Sequence, residues 1–252
     1  FFYGPNLGND MAQYKGGPYV EEQGPFLESL IYMNQCKTIV EVGVAEAKTT
    51  DFLCGGAQPL GGKVWGYDIW DTHGLKQQFE HWSSKEKCED YLKSKGHSNF
   101  ELTKVDSSTE QFKNLIKERH AGKIDLAFID GCHSYKGIKN DFDVIYPELS
   151  ECGIIVFHDT LRIDGCRAFM IDLRTKFWDG TFDIVTFPFG SMVYSDGNGT
   201  NRRTGISMLV KRSFATLDLP IDEQCDIEEH SQEIYVQEEE WYEKELEKVK
   251  SK

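Results

Sequence analysis

No run of 18 apolar residues occurs in this chain of 252 residues, so no membrane-spanning helix is expected. No C-x-x-C pair occurs among its seven cysteines (36, 54, 88, 132, 152, 166, 225). Their odd number and scatter favour reduced, mostly buried thiols over a disulfide framework or a zinc site. A basic stripe is also missing. Lys and Arg number 28 against 42 Asp and Glu, a net charge of −14, so a phosphate backbone has no path to follow and nucleic acid is not expected as a partner. The opening FFYGPNLGND has neither the basic segment of a signal peptide nor an initiator Met. That reads as a cytoplasmic chain, trimmed or excised from a longer one. Asn198-Gly199-Thr200 matches a glycosylation acceptor, but without a secretory signal it is read as a turn.

What is present is an alternation. Apolar runs at Thr38–Val42, Val64–Ile69, Phe100–Val105, Leu126–Ile129 and Ile154–Phe157 are separated by helical patterns near 47–55, 74–95, 108–120 and 135–149. Strands alternating with helices indicate βαβ units and a parallel sheet, an α/β fold. Ser107 and Glu110 have the spacing of a capping box for the helix that follows. Tyr135, Ile138, Phe142 and Ile145 recur at helical spacing, which gives the next helix one buried face. After a further helix near 164–177, Phe182–Phe187 and Gly205–Lys211 flank a Gly/Asn/Asp-rich loop and read as an antiparallel edge hairpin. Three regions are expected: an irregular arm or lid over 1–24, a globular domain over 25–212 with a short helix at 25–35, and an acidic helical extension over 213–252. Residues 222–252 hold twelve acids and four bases. That helix is read as a solvated surface helix, with packing on another copy or a flanking domain as the alternative.

The carboxyl ends of parallel strands are where doubly wound folds bind ligands. The first strand runs into V-E-V-G-V-A-E-A-K-T-T, with Gly43 but Ala at 45 and 47. Neither G-x-G-x-x-G nor a P-loop lysine is there, which disfavours a pyrophosphate and leaves a nucleoside without phosphate open. Asp68 ends the second run, placed to accept both ribose hydroxyl protons, and Asp106-Ser107 ends the third, placed to meet an adenine edge.

Those motifs, with I-D-G-C-H-S-Y after the fourth run and G-I-I-V-F-H-D after the fifth, resemble the class I S-adenosylmethionine-dependent methyltransferases. The resemblance covers roughly residues 20–212 and is strongest to small-molecule O-methyltransferases such as macrolide-sugar and cephalosporin-pathway enzymes. It implies a Rossmann-like, doubly wound, mostly parallel seven-stranded sheet. It also implies a cofactor site of Glu41, Gly43, Asp68 and Asp106, with Val44, Ala45, Thr49, Ile69, Ser107 and Asp130 from the same loops. Two departures stand out. Ala47 replaces the usual last glycine of the loop, where a methyl sits without strain only if φ stays negative. Cys152 stands where Gly usually begins the turn into strand five.

Asp130 and Asp159 are 29 residues apart, room for one crossover helix between parallel neighbours. If the two strands are adjacent, their ends lie about 5 Å apart and bring Asp130, His133, His158 and Asp159 to one spot. Metal-dependent relatives imply Asp130, His158 and Asp159 as ligands to Mg²⁺ or another divalent cation, with His133 as the base that takes the acceptor's proton. Imidazole at 158 suits Zn²⁺, Fe²⁺ or Mn²⁺ better than Mg²⁺, and a metal-free role for His158 as base or hydrogen-bond partner stays open. The reading is methyl transfer from S-adenosylmethionine to a hydroxyl of a small-molecule acceptor. Tyr3, Tyr14, Tyr19, Trp70 and Trp178 are aromatic candidates for the acceptor pocket. Two other readings stay open: a metal-dependent hydrolase or hydroxylase using the Asp/His cluster on this fold, and a non-catalytic binding or scaffold domain, suggested by the acidic helix and the missing Met.

Overall fold

The computed structural model describes residues 20–70, 84–188, 194–195, 201–202 and 204–212. By its contacts the chain divides into two compact units, Phe1–Arg212 and Ser213–Lys252, and every described residue lies in the first. Residues 1–19 of the arm expected over 1–24, with Tyr3, Tyr14 and Tyr19, most of the loop between the hairpin strands, and the acidic C-terminal helix lie outside the described residues, while residues 20–24 are the start of a helix.

Six α-helices, two short 3-10 turns and nine strands follow one another among the described residues. They are α1 (Val20–Met33), β1 (Thr38–Val42), α2 (Lys48–Ala57), β2 (Lys63–Asp68), α3 (Lys85–Ser94), β3 (Phe100–Lys104), α4 (Glu110–His120) and β4 (Ile124–Ile129). Then come α5 (Tyr135–Ile145), β5 (Leu149–Phe157), α6 (Asp164–Thr175), β6 (Phe182–Phe187), the two-residue strands β7 (Tyr194–Ser195) and β8 (Asn201–Arg202), and β9 (Ile206–Lys211). Seven strands form one sheet in the order β3-β2-β1-β4-β5-β9-β6. Strands β1 to β5 are parallel, and β9 runs antiparallel to both β5 and β6.

The sequence of β1, β4 and β5 dictates a sheet covered on both faces, because nearly every residue is apolar and successive side chains point to opposite sides. Val40, Ala127, Ile129, Ile155 and Phe157 pack on one side with Phe112, Ile138 and Phe169 of α4, α5 and α6. Ile39, Leu126, Phe128, Ile154 and Val156 pack on the other with Leu27, Ile31 and Leu53 of α1 and α2. A smaller apolar cluster of Val44, Ala47, Trp70, Cys88, Leu92 and Leu102 seats α3 beside the loop after β1.

Three local expectations shift. Helix α1 starts at Val20 and continues through Pro25 instead of starting there. Gly24 lies flat against the Phe52 ring, where an added Cβ would come to 2.4 Å, so packing on α2 holds the turn before the proline. Helix α4 is capped by Thr109, which accepts from Phe112 N, and not by Ser107. The Asp106 carboxylate accepts from Ser108 N at 2.8 Å and bends the chain there, which delays the helix by two residues. At Ala47, the N-cap of α2, φ is +59°, so the methyl is carried in the left-handed region. Among the described residues no helix is long and apolar enough to cross a membrane.

Candidate active site

Strand order reverses at β1 and β4, and the crevice at such a reversal is where open α/β sheets bind ligands. The loops after these strands touch. A Cβ added to Gly43, whose φ is +91°, would lie 2.2 Å from the Asp130 carbonyl oxygen. Only glycine permits both that φ and that approach. Ladder bonds from Asp130 N to Val42 O (2.8 Å) and from His158 N to Ile129 O (3.1 Å) bring the ends of β1, β4 and β5 level.

On the β2 side, the backbone signs alternate: φ is positive at Gly43, Ala45 and Ala47. Such alternation turns successive N–H groups to one side and makes a small anion-binding concavity. The anion in it is the protein's own. Asp68 Oδ2 accepts from Val44 N at 2.8 Å and from Ala45 N at 2.9 Å, while Oδ1 accepts from Trp70 N at 2.7 Å. The Ala45 carbonyl is held in turn by the Trp70 indole N–H (3.2 Å) and the Cys88 thiol (3.1 Å). Ile69, between Asp68 and Trp70, is left 41 % exposed at the crevice.

Beneath the loop, Glu41 is fully buried on β1 and accepts from Thr50 Oγ1 at 2.6 Å. Burial pushes its carboxyl well above the usual range against the Thr50 bond, and the nearby Asp130 and Asp68 charges add to the rise. Its other oxygen, Oε1, is buried without a hydrogen-bond partner. Thr49 lies in the first turn of α2, half-buried. After β3, Asp106 is exposed and the Ser107 carbonyl accepts from Asn140 Nδ2 at 2.8 Å.

The remaining four residues come together as the strand spacing requires. Asp130 Oδ1 lies 3.0 Å from His133 Nε2 and 3.1 Å from His158 Nδ1. Asp159 Oδ2 lies 3.7 Å from each of the same two nitrogens. Side-chain exposure falls from His133 (40 %) through Asp130 (27 %) and His158 (15 %) to Asp159 (8 %), so His133 is the face of the cluster that a solute meets. Burial works to raise Asp130, but the His158 charge and the bonds from both imidazoles outweigh it and hold the carboxyl well below its usual range. Both histidines are raised: burial pulls them down, and the Asp130 and Asp159 carboxylates pull harder the other way. Asp159 is raised by burial, only partly offset by His158. It sits at φ +56°, held by the turn behind it, where Thr160 N and Leu161 N donate to Gly205 O and Thr204 O.

One ligand atom each from Asp130, His133 and Asp159 fall within 4.8 Å of one another, a set able to hold a cation. It has His133 where the family resemblance implied His158. The fit is supported by Asp159 Oδ1, a buried oxygen with no hydrogen-bond partner. A nitrogen ligand favours Mn²⁺, Fe²⁺ or Zn²⁺ over Mg²⁺. The nucleoside fit rests on a similar orphan, Glu41 Oε1, under a crevice floored by Gly43.

Sequence reasoning missed the part that four residues play in this neighbourhood. Thr50, not Thr49, bonds Glu41, because the third position of α2 faces β1. Trp70, expected as a pocket aromatic, and Cys88, expected only as a buried thiol, clamp the loop by bonding the Ala45 carbonyl. Asp141 is fully buried between Gly131 and the Ser107 loop, with neither oxygen in a hydrogen bond of ordinary geometry. Its signal was present: an acid three residues past Ile138 and four before Ile145 sits on the apolar stripe. Trp178 does not belong to the site. Its turn precedes β6, which runs in the same direction as β5, so it lies at the opposite edge of the sheet, donating to Phe182 O.

Residues 40–160 match the family described as "Methyltransferase domain". No curated protein matches the sequence. Among solved structures, the chain is similar to the O-methyltransferase TomG of Streptomyces achromogenes, involved in tomaymycin synthesis and solved with SAM. Identity is 14 %, TM-score 0.56, with 76 % of this chain and 80 % of that one covered. An O-methyltransferase from Bacillus cereus, solved with SAH, is similar at 16 % identity and TM-score 0.55, over 79 % of this chain and 83 % of its own. At such identities the structures speak for the fold, while the family match speaks for the domain. Together they show a Rossmann-like fold of the kind those methyltransferases have, with residues 40–160 similar to a methyltransferase domain.

Proposed function

We propose that the chain transfers the methyl group of S-adenosylmethionine to a hydroxyl of a small-molecule acceptor. Gly43, Val44, Ala45, Thr49, Asp68, Ile69, Asp106 and Ser107 surround the nucleoside, and Asp130, His133, His158 and Asp159 stand at the reacting end. The observation that carries this reading is the contact between the loops after β1 and β4, which puts the Asp/His cluster against the nucleoside crevice.

When bound, S-adenosylmethionine supplies a methyl on a positively charged sulfur, open to in-line attack by an electron-rich oxygen. The chain's own residues must create that oxygen. A neutral His133 that donates its Nε2–H to Asp130 presents the Nδ1 lone pair to an incoming hydroxyl. Asp130 fixes the ring and its tautomer, and His158 fixes Asp130 from the other side. The buried Asp159 balances the imidazolium once the proton has moved. A divalent cation on Asp130, His133 and Asp159 would lower the pKa of a coordinated hydroxyl at the same place.

The test is formation of S-adenosylhomocysteine by the full chain from S-adenosylmethionine, across phenolic and sugar-hydroxyl acceptors, with and without Mn²⁺ or Mg²⁺. Acceptor-dependent product is expected, slowed by about 10²–10⁴ in His133→Ala, the usual contribution of a positioned base. Equal turnover in His133→Ala, or no product with any acceptor class, would contradict it.

A further inference from the structure

Strand β3 forms one edge of the sheet, and among the described residues no strand pairs with its outer side. We propose that this edge is a docking site for an extended acidic peptide segment of another protein, which adds as a further strand beside β3. The proposal is independent of the nucleoside reading of the crevice.

The ladder fixes which backbone groups point outward. Val64 N donates to Asn99 O and Val105 N to Asp68 O, so the odd-numbered residues from 99 to 105 turn their polar groups toward β2. Phe100, Leu102 and Lys104 therefore aim N–H and C=O away from the sheet, a template for another backbone. A groove of about 620 Å³ follows this edge, lined by β3 together with residues of α3 and α4. Four bases line it, Lys85, Lys93, Lys104 and Arg119, against two acids, Glu89 and Glu101. Each acid is already held between two bases. Glu89 has Lys85 at 3.5 Å and Lys93 at 3.7 Å, and Glu101 has Lys63 at 2.9 Å and Arg119 at 3.0 Å. The groove is thus locally positive in a chain whose net charge is −14. A small anion would satisfy the bases and leave the alternating donors and acceptors of the strand unmet. An acidic backbone in extended form satisfies both. A second copy of this chain is disfavoured, because β3 paired with itself would bring two positive rims together. The same bases deter unselective pairing with apolar strands, so charge gives the edge its choice of partner.

The test adds a labelled peptide of alternating Glu and Val, about seven residues long to overlap the strand, to the full chain. Fluorescence anisotropy should show saturable binding below about 1 mM, weakened at least about tenfold in the double variant Lys93→Glu, Lys104→Glu. The same peptide with every backbone nitrogen methylated keeps its charge but cannot donate to a strand, and it should also bind at least about tenfold more weakly. In the saturated wild type, amide exchange should slow at Phe100, Leu102 and Lys104 and stay unchanged at Glu101 and Thr103. No saturable binding, equal binding of the methylated peptide, or equal binding by the double variant would overturn the proposal. So would binding that leaves the three outward amides unprotected. Protection of those amides by rising protein concentration alone would assign the edge to a second copy, against the proposal. Should the double variant not fold, the methylated peptide and the wild-type exchange pattern decide.

Discussion

At the scale of single residues, the same backbone strain has different consequences depending on what the side chain buries. Ala47 and Cys152 are both left-handed, at φ +59° and +60°. That conformation costs an L-residue about 1–2 kcal/mol, while glycine loses about 0.5–1 kcal/mol of chain entropy in return. Cys152 is exposed, so Cys152→Gly should stabilise the protein by about 0.5–1 kcal/mol in urea unfolding. The Ala47 methyl is fully buried, and losing about 0.8 kcal/mol of burial should bring Ala47→Gly close to neutral. Two buried titrating groups oppose each other in the same way. Burial pushes His120 down to about 4, with the Arg119 charge helping. Burial pushes Asp141 up to about 6, although Ser107 and Asn140 pull it back. For His120 the unfolded chain binds the extra proton, so its contribution is present above pH ~6.5 and is lost as pH falls toward 4. For Asp141 the folded chain binds it, so stability is gained over nearly the same fall. Each amounts to about 3 kcal/mol at 1.36 kcal/mol per unit. Acidification from pH 6.5 to 4 should therefore destabilise Asp141→Asn more steeply than wild type, and His120→Gln less steeply. Parallel denaturation curves for all three proteins would contradict this.

At the scale of elements, the starts of helices show what a sequence reveals and what it hides. Apolar runs marked the central strands β1, β4 and β5 most plainly, because strands covered on both faces are apolar over most of their length. Helix starts were less legible. Ser107 and Glu110 had the right spacing for a capping box, yet the Asp106 carboxylate takes Ser108 N first and passes the cap to Thr109. Thr109→Ala should cost about 1 kcal/mol, whereas Ser107→Ala should leave α4 unchanged within a few tenths. Thermal unfolding of the two variants distinguishes the alternatives. The short helix expected at 25–35 in fact starts at Val20, with Gly24 packed on Phe52 in the turn before Pro25. The candidate site was legible where identity and strand spacing suffice, at Gly43, Asp130, His133, His158 and Asp159. It was not legible where a role depends on loop curvature. Asp68 is unmistakable as an acid at a strand end, but that three backbone donors already occupy it follows from the φ values of Gly43, Ala45 and Trp70.

At the scale of the molecule, the sheet order brings two loop systems of different character to one crevice. On the β2 side are backbone amides satisfied by an internal carboxylate, firm and already closed. On the β5 side are two acids and two imidazoles in mutual contact, of which His133 and Asp130 are the most open to solvent. A nucleoside needs the first and a proton transfer needs the second. Whether they are one site is tested, without knowledge of the acceptor, by imidazole NMR of the full chain titrated with S-adenosylhomocysteine. The His133 and His158 ring resonances should both move as the ligand saturates, while those of His120, which bonds the Tyr67 hydroxyl outside the cluster, stay in place. Saturable binding that leaves both His133 and His158 unmoved would contradict it.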